Sequence, residues 1–215
     1  MGDLREADLE EIVRLRPNLI LISKTGNRKA VAEALAKVGL NVKTMERPNT
    51  VAGYADFIRE LGLLTGREAR ARELSEKIRK EAARLQARTA ADGRVRTFVQ
   101  LDAGPVLYSA GAGTLVGDLL DICGGENIVG DRGRAYPALE VEEVIAAAPE
   151  VIVVCVMGRR GEAAVRDWAR FPWVPAVAAG RIHLLDPDLI CRLSPSLLQG
   201  MEQISKWLHP EESVP

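Results

Sequence analysis

The sequence predicts an α/β protein of two lobes with parallel sheets, the first lobe incomplete, joined by one long rigid helix. Three observations carry that reading. First, Leu9-Glu10-Glu11-Ile12-Val13, Pro17 and Leu19-Ile20-Leu21-Ile22 return as Val141-Glu142-Glu143-Val144-Ile145, Pro149 and Val151-Ile152-Val153-Val154, at a constant offset of 132 residues. Each copy reads as a short amphipathic helix stopped by a proline, which cannot donate into a helical ladder, and then an apolar run suited to a buried parallel strand. Second, strand and helix patterns alternate along the chain, which implies parallel sheets with ligand-binding loops at the strand carboxyl ends. Third, Arg67 to Ala90 contains no proline or glycine and is rich in Ala, Arg, Glu, Lys and Leu. Such a stretch makes a helix on the order of 35 Å long, which reads either as a crossover or coiled-coil arm or, from its place between duplicated halves, as a stiff strut joining the lobes.

These elements fill three blocks: residues 1–65 as an incomplete lobe, 66–91 as the connecting helix and 92–215 as a complete lobe. Only Met1 to Asp8 precede the first copy of the repeat, whereas strand, loop, helix and loop from about Val95 to Glu140 precede the second. The first lobe therefore reads as truncated at its N-terminal side. A helix is expected from Asn27 to Val38 after the loop Ser23-Lys24-Thr25-Gly26, then a strand from Asn41 to Met45. Thr50 to Leu64 places Val51, Tyr54, Phe57, Ile58 and Leu61 on one helical face, and the long helix does the same with Leu74, Ile78 and Leu85. Beyond it, strands are expected at Arg94 to Leu101 and Arg181 to Leu185, and helices at Gly113 to Cys123 and Pro195 to Leu208.

Composition argues against several classes of function. Twenty-nine basic against 30 acidic residues argue against nucleic acid or a polybasic membrane contact, both of which usually need a concentrated positive surface. No run is apolar enough to span a bilayer, and Met1 to Glu6 carry no signal-peptide pattern. Cys123, Cys155 and Cys191 lie 32 and 36 residues apart, without metal-type spacing, and only His183 and His209 are available to assist a nucleophile or bind a metal. Neither a metal site nor a resident cofactor is expected. Gly111-Ala112-Gly113-Thr114-Leu115 lacks dinucleotide or P-loop spacing and reads as a tight turn with Thr114 starting a helix. Asp186-Pro187-Asp188 supplies too few ligands for a hard cation and reads as a strand-end turn.

Four segments carry a family resemblance: Thr97-Phe98-Val99-Gln100, Tyr108-Ser109-Ala110-Gly111, Leu119-Leu120-Asp121-Ile122-Cys123-Gly124-Gly125-Glu126-Asn127-Ile128, and Tyr136-Pro137 leading into the second repeat copy. Together with Leu15-Arg16-Pro17-Asn18-Leu19-Ile20 and Gly26-Asn27, the chain resembles the substrate-binding proteins of ABC importers for cobalamin, within the iron-siderophore and cobalamin superfamily. The resemblance implies a class III periplasmic binding-protein fold, two α/β lobes on one long helix with a large ligand held between them. It implies a protein outside the cytoplasmic membrane that performs no chemistry and delivers cobalamin or a related corrinoid to a permease driven by ATPase subunits. A ferric siderophore or haem is the alternative ligand. A two-lobed α/β enzyme such as a metal chelatase, and a module that only makes protein contacts, are alternatives of other classes.

Loops after strands supply the residues expected to touch ligand. They are Ser23, Lys24, Thr25, Gly26 and Asn27 in the first lobe, and Asp102, Gly104, Pro105, Tyr108, Arg134, Tyr136, Met157, Gly158, Asp186, Asp188 and Leu189 in the second. Tyr108 and Tyr136 offer flat apolar bodies with polar tips, suited to packing on a macrocycle while hydrogen-bonding its amides. Cobalamin binders often place tryptophan at the position of Ser23 and another aromatic at that of Leu189, and only 4% of this chain is aromatic. Family members typically dock to the permease through one glutamate on each lobe. Those positions correspond here to Lys29 and Cys191, with Glu33 one helical turn beyond Lys29 and Asp188 near Cys191 as replacements.

Overall fold

The computed structural model describes residues 9–24, 28–156 and 158–210, and its main chain divides after Pro48 into two compact units. In the first, helix α1 (Leu9–Leu15) leads to strand β1 (Ile20–Ser23), helix α2 (Arg28–Lys37) and strand β2 (Val42–Met45). β1 and β2 pair in parallel from Ile20 opposite Val42 to Ser23 opposite Met45, and Ile22, Leu35 and Met45 are buried.

The second unit opens with two long helices, α3 (Val51–Thr65) and α4 (Glu68–Asp92). Thr50 caps α3 by accepting from the Gly53 amide, and Asp118 accepts a further hydrogen bond from the Val51 amide at 2.7 Å, so both orphan donors are satisfied. Gly66, at φ 65°, turns the chain into α4. The helices approach so closely that a Cβ on Gly62 would lie 2.3 Å from that of Ala71. On α4, Ala71, Ser75, Ile78, Leu85 and Thr89 form the buried stripe. The exposed side carries ion pairs such as Lys77 with Glu73 and Arg79 with Asp56.

Strand β3 (Val95–Gln100), strand β4 (Leu107–Tyr108), helix α5 (Leu115–Ile122), strand β5 (Gly125–Asn127), strand β6 (Ala138–Leu139) and helix α6 (Val141–Ala146) follow. Strand β7 (Val151–Val154), helix α7 (Gly158–Asp167), a 3-10 turn at Trp168–Arg170, helix α8 (Pro175–Ala178), strand β8 (Ile182–Leu184), helix α9 (Pro187–Ile190) and helix α10 (Leu197–Leu208) complete the unit. The central sheet has the order β5-β3-β7-β8, all parallel. Its alternating side chains build two cores. Val99, Val151 and Val153 pack with residues of α3, α4, α5 and α10, while Phe98, Ile152 and Val154 pack with Val144, Ala164, Trp168 and Ala176.

The fold expected from sequence is the fold observed: an α/β chain with parallel sheets. The repeat is present at atomic detail. Arg16 and Ala148 are the non-glycine residues with positive φ among those described, at 47° and 46°, and they occupy equivalent places one residue before Pro17 and Pro149. Their amides donate to Val13 and Ile145, again equivalent residues. A proline disfavours right-handed helical torsions in the residue before it, and the chain leaves each short helix through the left-handed region instead.

Candidate functional site

The order β5-β3-β7-β8 changes direction between β3 and β7: the chain goes from β3 to β5 on one side, then returns to β7 and β8 on the other. In open parallel sheets a ligand crevice forms at such a switch, outside the strand carboxyl ends. Those ends carry Asp102, Gly104 and Pro105 after β3, Gly158 after β7, and Asp186, Asp188 and Leu189 after β8. Met157, Thr25, Gly26 and Asn27, also expected at the site, lie outside the described residues.

Asp102 is fixed from three directions. Its carboxylate accepts from the Ala103 amide at 2.7 Å and from the Arg160 guanidinium at 2.9 Å, joining the exits of β3 and β7. Its carbonyl accepts from the Gln100 side-chain amide, whose oxygen accepts from the Trp168 indole at 2.9 Å. Gln100 is buried, so both ends of its amide require partners and the network has one low-energy arrangement. Gly104 and Pro105 line a cavity of about 340 Å³ with Gln100, Trp168 and Phe171. Arg160 and Trp168 were not among the sequence candidates. Their partners are 58 and 68 residues away in the chain, beyond any local pattern.

Both tyrosines lie at one short ribbon. β4 and β6 pair antiparallel with Tyr108 opposite Ala138, and hydrogen bonds from Ser109 to Pro137 and from Gly111 to Ala135 continue the ladder. Tyr136 lies in the bend that leads into β6, two residues before the partner of Tyr108. Leu107, Ser109, Pro137 and Leu139 turn inward and are buried, leaving Tyr108 at 44% and Tyr136 at 56% exposure. The Tyr108 carbonyl also accepts from the Leu101 amide, tying this ribbon to the end of β3. Exposed Arg134 lies two residues before Tyr136. Nearby, Arg132 donates to Glu143 at 2.6 Å, and this hydrogen bond holds the Glu143 carboxyl below its ordinary pKa.

At the exit of β8, Asp186 caps α9 by accepting from the Asp188 amide, which is the strand-end turn expected from its sequence. Asp188 pairs with Arg192 at 2.7 Å, and Leu189 is half-buried against the larger core. Cys191 closes α9, its sulfur 3.7 Å from that of Cys155. Thr114 caps α5 after Gly113 at φ 79°, so the glycine-rich segment is a turn.

In the first unit, Ser23, Lys24, Lys29 and Glu33 line a cavity of about 570 Å³ with Ala32, Thr44 and Glu46. Lys24 reaches Glu46 at 3.3 Å and Lys29 reaches Glu33 at 3.9 Å, all four strongly exposed. Among the described residues no group of three or more His, Cys, Asp or Glu side chains is placed to hold a metal. No described helix is long and apolar enough to cross a membrane. These edges present two phenol rings, a guanidinium, and carboxylates braced by their neighbours.

Known proteins are similar to this chain in sequence and in fold. The vitamin B12-binding protein of Salmonella typhi is 28% identical over 203 residues, covering 94% of this chain and 73% of that protein. The one from Yersinia pestis is 28% identical over 201 residues, covering 94% and 69%. The crystal structure of the periplasmic vitamin B12 binding protein BtuF of Vibrio cholerae matches with a TM-score of 0.78 at 23% identity, covering 95% of this chain and 79% of that one. A periplasmic heme binding protein from Pseudomonas aeruginosa matches with a TM-score of 0.77 at 24% identity, covering 98% and 78%. A family model described as periplasmic binding protein matches residues 1–189, and the chain belongs to that family.

Proposed function

We propose that this chain is the substrate-capturing component of an ABC importer, that it takes up cobalamin or a related corrinoid, and that it hands this ligand unchanged to a membrane permease. The observation that carries the reading is the pair of exposed tyrosines at the β4–β6 ribbon, which is tied to the end of β3 beside the switch point of the sheet. It is supported by relatives named vitamin B12-binding proteins over nearly the whole chain. Ring faces suit the apolar plane of a macrocycle, and the phenol tips suit its amide arms. The 340 Å³ cavity by Gly104 and Pro105 is at the small end for ligand pockets and fits a side arm rather than the macrocycle.

In this reading the protein works outside the cytoplasmic membrane, with residues 1–65 and 92–215 as lobes and 66–91 as the helix joining them. Docking to the permease falls to the surfaces around Lys29 and Glu33 and around Cys191 and Asp188. Lys29 sits beside the Glu33 carboxylate, and Arg192 beside that of Asp188, so each carboxylate meets a permease arginine already partly neutralised. Docking is therefore weaker than for a bare glutamate pair.

Haem is the second reading, favoured by the guanidinium of Arg134 near Tyr136, which suits a propionate. Thermal-shift measurements with cobalamin, haem and a ferric siderophore separate the ligands. A ligand at about 100 times its Kd stabilises the fold by about 2.7 kcal/mol. Cobalamin is expected to raise the melting temperature, and Tyr136→Ala to weaken its binding about tenfold, as for loss of a buried aromatic contact. A shift with haem alone moves the assignment to haem, and no shift with any of the three overturns it.

A further inference from the structure

Cys155 and Cys191 meet at the same edge of the sheet. Cys155 directly follows β7 and is 3% exposed, while Cys191 caps α9 and is half-buried. Their sulfurs are 3.7 Å apart although 36 residues separate them in the chain. We propose that Cys155 and Cys191 form a redox-active pair that a small disulfide oxidises to an intramolecular cystine, tying the exit of β7 to the end of α9 at the candidate ligand edge.

The geometry favours this pair over any other. A disulfide of about 2.05 Å needs the sulfurs to close by only about 1.7 Å, within reach of side-chain rotation. Cys123, the remaining cysteine, lies 1% exposed beneath α10 with its thiol directed at the Met201 carbonyl at 3.4 Å. Burial raises the Cys123 pKa, and its thiol is withdrawn from exchange. The Cys155 pKa is raised first by its contact with the Cys191 thiol and then by burial, so the more accessible Cys191 begins the reaction. As a thiolate, Cys191 attacks one sulfur of glutathione disulfide and releases one glutathione, leaving a mixed disulfide. Cys155 then attacks the Cys191 sulfur, and its proton passes to the departing sulfur, so that the second glutathione leaves as a thiol. Two protein thiols and one small disulfide become one protein disulfide and two small thiols.

This chemistry is independent of which ligand the protein binds. The full chain, folded and reduced, is incubated with glutathione disulfide, then unfolded in denaturant with an alkylating agent so that every remaining thiol reacts, and mapped by mass spectrometry. The expected product has lost two hydrogen atoms, has one peptide cross-linked through Cys155 and Cys191, and carries an alkyl group on Cys123. Its melting temperature rises by roughly 5–10 °C over the reduced form, as a bridge closing a loop of this size restricts the unfolded chain. Cys123→Ser is expected to oxidise in the same way, and Cys191→Ser to form no internal bridge. Three alkylated cysteines after incubation, a bridge through Cys123, or only intermolecular disulfides would overturn the proposal.

Discussion

Residues 9–22 and residues 141–154 share a backbone down to one unusual torsion, yet they differ in almost everything that burial decides. Arg16 and Ala148 have φ of 47° and 46° before their prolines. Despite this likeness, helix α1 buries none of its residues while α6 buries Val144, and β1 has only Ile22 buried where all four residues of β7 are buried. The cause is the neighbourhood. β1 pairs with β2 alone among the described strands, whereas β7 lies between β3 and β8 with a core on each face. Local sequence sets the local conformation, and the number of partners sets what that conformation is worth.

The sharpest way to break this comparison uses Ile20 and Ile152, identical side chains at equivalent positions. Ile152 is fully buried, so Ile152→Ala removes its apolar surface from water-free packing and leaves a cavity, for an expected loss of about 3–4 kcal/mol. Ile20 is only half-buried, and Ile20→Ala is expected to cost about 1 kcal/mol. Urea unfolding of both variants checks the ratio. Equal losses would show that β1 is enclosed as fully as β7.

A second, smaller difference concerns pH. β7 has a titratable neighbour: Val153 pairs with His183 of β8, whose ring stacks on Trp207 at 4.6 Å. Burial lowers the pKa of His183, with the Arg181 charge acting the same way, and burial lowers that of His209 as well. The His209 ring lies where a Cβ on Gly124 would approach its Nε2 within 2.2 Å, and this nitrogen has no hydrogen-bond partner among the described residues. As the pH falls, the unfolded chain therefore takes up these protons before the folded one does. Stability present above the ordinary histidine pKa of about 6.5 is therefore lost as the pH falls through and below it. Melting temperatures measured at pH 7.5 and 5.5 are expected to fall in the wild type and to fall less in a His183→Gln, His209→Gln double variant.

Much of this difference was legible in the sequence, and the remainder has identifiable physical reasons. The helices at 51–65 and 68–92 announce themselves because their apolar residues recur at helical spacing, and the two repeat strands because their runs are continuously apolar. Helix α7 gave no such signal. Its buried positions are Gly161 and Ala164, small residues that let the chain pass within 2.2 Å of a would-be Cβ contact with the Val156 carbonyl, and small residues leave no hydrophobic stripe. The β4–β6 ribbon leaves no pattern in the sequence because each strand is two residues long and Tyr108 pairs with Ala138, 30 residues away. The strand-end positions of the candidate site could be read from the α/β alternation. The Asp102–Arg160 and Cys155–Cys191 contacts could not, since only the folded sheet brings those residues together.

The smallest expected effect sharpens the comparison from the other side, by testing what the two copies share. Arg16 and Ala148 are both exposed, so replacing either with glycine removes little packing. Both occupy the left-handed region, where a Cβ crowds the following carbonyl at a cost of about 1–2 kcal/mol that glycine avoids. Glycine also adds freedom to the unfolded chain, which offsets part of the gain. Arg16→Gly and Ala148→Gly are therefore each expected to stabilise by about 0.5–1 kcal/mol, in contrast to the unequal effects of the two isoleucine variants. Urea unfolding read by amide exchange within each unit measures both changes separately. A gain at Ala148 with a loss at Arg16 would mean that the left-handed exit is imposed by packing around α6 rather than by the proline that follows each helix.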